Sequence, residues 1–316
     1  MSRAGAFPAC IETRRREKTS CGLDTSKALR ALALLDQRLL TTMYARYMAD
    51  FSFIQITDHH LLESEEQYRD GFVPGYALRM VLKHIAENVA DKADFIISTG
   101  DLVEPPTDAA YASAIKLLGL DSSASLPGPQ HANVEGLHDY PIYFLPGNHD
   151  DREQFTRCLF PASTPVDLYN FAFEYKGIQF VFMDWGPESK AVFLPETREF
   201  LSQVLQSELA SVIICHQHVK SIGSRWLDDF IADEIDQFWE VITQPGIKEK
   251  ILGILCGHVH ITYEDEYRGI QILGLRSTAY PFAKTDDVMV ILAPPHYRFV
   301  SIQNNVLTSR IYKVLI

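Results

Sequence analysis

The chain has 316 residues, 47% of them hydrophobic, with a formal net charge of -12 and a sequence pI of about 5.4. That supports one large domain with a sizeable core and argues against a general nucleic-acid binder, whose non-specific affinity comes from Lys and Arg neutralising phosphates. The 5 cysteines, odd in number and without paired spacing, fit a reducing cytoplasmic setting rather than a disulfide framework, and no apolar run has the length needed to span a membrane.

Residues 1–47 include "ETRRREKTS", basic and polar in an otherwise acidic chain. An Arg-rich, acid-poor start is compatible with a transit peptide, but the plainer expectation is a disordered or loosely helical appendage. Met48 opens "MADFSFIQITDHHL" and reads as the natural beginning of a domain over 48–316. Within it "FSFIQIT" predicts a strand, "GYALRMVLKHIAENVA" a helix by its apolar spacing, "ADFIIST" a strand and "AAYASAIKLLGL" a second helix. "DSSASLPGPQHANVE", over 121–135, reads as a loop. "YPIYFLP" predicts a strand and "REQFTRCLF" a short helix, followed by a hairpin of "YNFAFEY" and "IQFVFMD" about Lys176-Gly177. A helix over "PETREFLSQVLQSE", the strand "SVIIC" and a helix over "LDDFIADEIDQFWEVITQ" come next. "ILGILC", "IQILGLRS", "DVMVILA", "YRFVSIQ" and "RIYKVLI" read as sheet. The alternation implies an α/β layered fold with mixed sheets and helices outside.

Five of the apolar strands run straight into polar clusters. These are Asp58-His59-His60, Gly100-Asp101, Gly147-Asn148-His149-Asp150, His216-Gln217-His218 and Gly257-His258-Val259-His260, which together hold 7 of the 11 histidines. Polar groups are expensive to bury without partners, and in open α/β sheets ligands bind beyond the carboxyl ends of the strands. Five such ends at one sheet edge would build a single site. Gly-Asn-His-Asp alone is also a common turn composition; all five clusters in this order, each after a strand, decide against that reading. Imidazole and carboxylate ligands suit a pair of divalent cations, Mn²⁺ or Fe²⁺ first and Zn²⁺ also compatible. Two such ions about 3.5–4 Å apart would clamp a phosphoryl group and activate water. Cys215 and Cys256, each just before a cluster, are expected in the core.

These residues resemble the calcineurin-like metallophosphoesterase superfamily, whose Asp-x-His, Gly-Asp, Gly-Asn-His-Asp/Glu, His and Gly-His-x-His motifs read here "DHH", "GD", "GNHD", "CHQH" and "GHVH" over residues 58–260. "PGNHDDREQF" and "HVKSIGSRWLDD" are similar to the bacterial class III cyclic-nucleotide phosphodiesterase group. The resemblance implies a four-layer α/β/β/α sandwich with a dinuclear centre at the C-terminal strand ends. It implies Asp58, His60, Asp101 and His260 on one metal, Asn148, His216 and His258 on the other, and Asp101 as the bridge. His149 would face the substrate phosphate, with Asn148, and protonate the leaving group. Glu104, where relatives often have a carboxylate, would orient His149 and raise its pKa.

Relatives usually carry His-His-Pro at the fourth motif, whereas here His216-Gln217-His218 precedes Val219. The ligand is then His216, or Gln217 if no gap is allowed; His216 is preferred because it follows the strand directly and imidazole is the better transition-metal ligand. His218 remains either a substrate or supporting contact or an exposed loop residue, and His59 is read as structural. His84, His131, His138 and His296 are expected to be ordinary surface or core residues. Arg152, Arg225 and Arg276 are candidates for phosphate or base contact, against the commoner reading as surface arginines.

The expected activity is metal-dependent phosphoester hydrolysis by metal-activated water, with a small 3′,5′-cyclic nucleotide such as cAMP as the leading substrate. The alternatives are a phosphomonoesterase or nucleotide pyrophosphatase on the same scaffold, a nuclease, disfavoured by the absence of a basic stripe, and a non-catalytic protein-binding scaffold. A purple acid phosphatase is disfavoured because Glu104 stands where its motif places Tyr. The strands within 265–316 fit a sheet edge, a homodimer contact or a cap over the site.

Overall fold

The computed structural model describes residues 50–315 apart from Asp70 and Ser122, so the expected appendage over 1–47 lies outside the described residues. Two six-stranded mixed sheets face each other among these residues. The first runs, edge to edge, β12 (Val306–Lys313), β11 (His296–Gln303), β1 (Phe51–Ile56), β2 (Ile96–Thr99), β4 (Leu137–Leu145) and β3 (Gln130–Val134). The second runs β5 (Phe171–Tyr175), β6 (Ile178–Met183), β7 (Ala210–Cys215), β8 (Ile251–Cys256), β10 (Ile270–Gly274) and β9 (Tyr263–Tyr267). β1, β2 and β4 are parallel, as are β6, β7, β8 and β10, with antiparallel strands at the margins.

Alternation along each strand sorts side chains into two cores. In β6 and β7, Phe180, Phe182, Val212 and Ile214 face the first sheet, while Val181, Met183, Ile213 and Cys215 pack with Phe238, Trp239 and Ile242 of the outer helix α6 (Ile235–Ile242). Cys215 and Cys256 are buried there as expected. Aromatic rings fill the space between the sheets: Phe53 meets Phe180 edge-on at 5.3 Å, and Tyr143 stacks on Phe173 at 4.0 Å. On the other flank, α1 (Pro74–Asn88) and α2 (Asp108–Leu118) bury Leu78, Val81, Ile85, Ala110 and Ala114 against the first sheet. The result is the four-layer α/β/β/α sandwich. No described helix is long and apolar enough to cross a membrane.

Four segments differ from the sequence reading. Gln130–Val134 is an edge strand, paired antiparallel with β4, rather than part of a loop. Tyr263–Tyr267 is likewise an edge strand, hidden by its acidic composition. The helix expected over 227–244 is broken into the single turn α5 (Arg225–Asp228) and α6, because Asp233 exchanges backbone hydrogen bonds with Ala191 and Phe193. "DVMVILA" joins neither sheet: Ala283 and Ile291 bond to Met289 and Pro281, and Val288 and Leu292 are left 67% and 86% exposed.

Candidate metal centre

The parallel strands β1, β2, β4, β7 and β8 all end at one edge, and their last residues turn sharply. Asp58, His60, Asp101, His258 and His260 have φ of 52°, 45°, 53°, 67° and 51°, the left-handed region that non-glycine residues avoid. Strain of this kind concentrates at functional sites. The motif glycines are required by close approach. A Cβ on Gly100, whose φ is +108°, would lie 2.2 Å from His216 Nδ1, and one on Gly257 would lie 2.4 Å from Asp58 Oδ2.

Two donor clusters that share Asp101 result, beside a third of His60, Glu104 and His149. Asp58, His60, Asp101 and His260 present ligand atoms all within 4.8 Å of one another, and so do Asp101, His216 and His258. Asp101 belongs to both, with Oδ2 3.2 Å from His216 Nε2 and 3.6 Å from His60 Nε2. Asn148 Oδ1 joins the second cluster, 3.1 Å from His216 Nε2 and 2.9 Å from His258 Nδ1. Gln217 is turned away, its amide donating to the Glu188 carbonyl.

Hydrogen bonds behind the clusters fix which nitrogens face inward. His60 Nδ1 meets Glu104 Oε2 at 2.8 Å, His260 Nδ1 the Tyr280 carbonyl at 2.7 Å, and His216 Nδ1 the Thr99 carbonyl at 2.8 Å. Each partner only accepts, so each Nδ1 carries a hydrogen and each Nε2 is the nitrogen turned toward the clusters. His60 Nε2 and His260 Nε2 lie 3.0 Å apart, beside the Asp58 carboxylate. Imidazole nitrogens and carboxylates converging in a buried space need positive charge among them, from protons or from metal ions. A nitrogen-and-oxygen donor set without thiolate fits two divalent ions.

Without metal ions a proton supplies that charge at His216. Burial would depress the His216 pKa, but Asp101 and Asp58 override it and push it up to about 9. His258, 3.3 Å away, is held well below the usual range by burial and by His216. Burial opposes ionisation of Asp58, but His260 and His216 hold its pKa down to about 2.

Three expected residues stand differently from the sequence reading. Glu104 meets His60 Nδ1 first, and its other oxygen is 3.6 Å from His149 Nδ1, beyond hydrogen-bond length, while Arg69 also pairs with it. Its pKa is down to about 2: burial opposes this, but the His60 bond and the charges around it prevail. His218, left open between a substrate contact, a supporting contact and an exposed loop residue, is fully buried and stacks flat against His258 with ring centroids 5.9 Å apart, the place of a supporting contact; the cleft is lined by other residues. Arg152 is neither a surface residue nor a phosphate contact. Its buried guanidinium pairs with Asp184 and donates to the Gly147, Asp150 and Gly186 carbonyls.

The carboxylates of "GNHDD" divide their work. Asp150 is buried and accepts from Gly147, Leu102 and Val103 amides and from Tyr111, locking the Asn148-His149 turn onto the Asp101 loop. Burial and Asp101 push its pKa up to about 6. Asp151 caps α3 (Arg152–Leu159).

His59 is structural, bonded to Thr278 Oγ1 at 2.7 Å and Ser98 Oγ at 3.0 Å. Burial lowers its pKa from 6.5 to about 3, and lowers His218 and His296 to about 4 and about 3. Below pH 6.5 the unfolded chain therefore binds protons that the folded chain refuses. The unfolding free energy of the metal-free protein from urea titration is expected to fall steadily between pH 6.5 and about 4.5, by about 1.4 kcal/mol per pH unit for each such ring, and less steeply in His59→Asn. A free energy constant over that window would mean the rings charge inside the fold.

The cleft above the clusters has a volume of about 130 Å³ and is lined by His60, Asp101, Asn148, His149, His258 and His260 on one side. Trp226, Phe230, Tyr280 and Phe282 line the other. The sequence reading gave these aromatics no role: Trp226 lies within "HVKSIGSRWLDD", and the other three carry no motif.

Comparison with known proteins bears on the same residues. The profile of the calcineurin-like phosphoesterase family matches residues 51–292. The 3′,5′-cyclic adenosine monophosphate phosphodiesterase CpdA of Vibrio vulnificus is 26% identical over 266 residues, 80% of this chain and 85% of that protein. The 3′,5′-cyclic-nucleotide phosphodiesterase alr5338 of Nostoc is 24% identical over 76% of this chain and 83% of its own length. Among solved structures, purple acid phosphatase PPD1 from yellow lupin matches 84% of this chain and 52% of its own at a TM-score of 0.56 and 14% identity. GAP50, the anchor in the inner membrane complex of Plasmodium, matches 84% of this chain and 85% of its own at 0.55 and 12%. These two likenesses concern the fold alone.

Proposed function

The chain belongs to the calcineurin-like phosphoesterase family, and on that premise we propose that it is a phosphodiesterase acting on 3′,5′-cyclic nucleotides. The observation that carries the reading is the pair of donor clusters sharing Asp101 at the floor of an open cleft. The relatives named as cyclic-nucleotide phosphodiesterases support the substrate class.

Asp58, His60, Asp101 and His260 would hold one divalent ion, and Asp101, Asn148, His216 and His258 the other. Bound there, the ions would supply neutralisation of the phosphoryl oxygens and an acidified water. The chain's own residues do the rest. The Asp101 carboxylate accepts the His149 backbone N–H at 2.9 Å, which fixes the turn that carries His149. The His149 ring reaches the cleft, edge-on to His60 at 4.9 Å and 36% exposed. From there it gives its proton to the departing ester oxygen as the phosphorus–oxygen bond breaks. Glu104 keeps the His60 hydrogen on Nδ1 and lies beside His149.

Purified protein with added Mn²⁺ is expected to hydrolyse cyclic AMP in preference to a matched aryl monoester. Preference for the monoester would move the protein to the phosphatase reading. His149→Ala is expected to lower kcat by about 10²–10⁴-fold with metal content unchanged. Full activity in that variant would remove His149 from the reaction.

A further inference from the structure

The aromatic wall of the cleft has no part in holding metal, and it stands directly against the ligands. Phe282 stacks on His260 with centroids 4.7 Å apart and planes at 19°. Phe230 stands edge-on to His258 at 6.0 Å, and Trp226 edge-on to Phe282 at 5.0 Å. All three rings are half-buried. Their loops are firmly tied. Asp228 accepts from Ser221 Oγ and from the Ile222 and Gly223 amides, while the Ser224 hydroxyl donates to the Thr285 carbonyl. A phosphoryl group at the donor clusters would therefore bring its ester substituent against a fixed aromatic surface.

A flat heteroaromatic ring matches this surface, because planar π-systems stack on, or meet edge-on, aromatic side chains.

Resting on the phosphoesterase reading, we propose that Trp226, Phe230 and Phe282 form a subsite for a planar heteroaromatic group of the substrate. This subsite, rather than the donor clusters, sets the preference for nucleotides over simpler phosphoesters.

The chain has 3 tryptophans, and Trp185 and Trp239 are each only 2% exposed, so quenching of Trp226 fluorescence reports this wall. Adenosine 5′-monophosphate is expected to quench the Mn²⁺-loaded protein at concentrations about tenfold or more below those at which ribose 5-phosphate competes. The ratio of kcat/KM for cyclic AMP to that for ribose 3′,5′-cyclic phosphate is expected to fall about tenfold in Trp226→Leu and Phe230→Leu. Trp226→Phe, which keeps a smaller ring, should fall between. Equal losses on both esters, or a wild-type enzyme indifferent to the base, would overturn the subsite while leaving hydrolysis intact. Base-dependent quenching without turnover of either ester would keep the subsite and overturn the phosphoesterase reading.

Discussion

Asp101→Asn is expected to abolish turnover and to leave fewer than two metal ions per chain. Asp101 is the side chain common to both donor clusters, so one substitution strikes both. Asparagine has the same shape, and its Oδ1 still accepts the His149 N–H, so the turn is preserved. The negative charge disappears, and the new amide points hydrogens where Oδ2 now faces His216 Nε2 at 3.2 Å and His60 Nε2 at 3.6 Å. Losing several kcal/mol of charge stabilisation corresponds to a fall in kcat of about 10³-fold or more. Metal analysis of the purified variant beside its kcat checks this. Two bound ions with kcat within tenfold of the parent would show that Asp101 is no bridge.

Removing metal with a chelator is expected to lower Tm by about 10 °C. Without metal ions, His60 Nε2 and His260 Nε2 lie 3.0 Å apart beside a buried carboxylate, where only protons can supply the missing positive charge. An ion that binds only the folded chain stabilises it by about 4 kcal/mol at a thousandfold excess over Kd. For a domain of this size each kcal/mol is worth about 2–4 °C. Scanning calorimetry before and after chelation, and again after adding Mn²⁺, measures it. A Tm indifferent to both treatments would mean that the clusters are stable as they stand and hold no ion.

The site was legible because its signal is local. An apolar strand that ends in Asp, His or Asn must have somewhere to put those groups, and the sandwich brings the ends of β1, β2, β4, β7 and β8 together. The two sheets and most helices were legible for the same reason, since period 2 and period 3.6 follow from one stretch of chain. What was hidden depends on distant partners. The helix expected over 227–244 breaks because Asp233 bonds to the 191–193 segment. "DVMVILA" looks like a strand but pairs with its own loop. Arg152 gives no hint in sequence that Asp184 waits for it in the core. Glu104 was read only against His149; its 2.8 Å contact with His60 is set by how two loops dock. The aromatic wall joins residues 226–230 to 280–282, which only the fold makes neighbours.

The left-handed backbone at Asp58, His60, Asp101, His258 and His260 has a consequence for how such a chain changes over generations. Each of these residues costs about 1–2 kcal/mol relative to a glycine in the same conformation. Selection for folding alone would therefore drive all five toward glycine or asparagine, and each step would make the protein more robust. The side chains stand against that drift. A lineage released from its chemistry would lose them early and gain stability in doing so, which is the usual direction of exchange between stability and function.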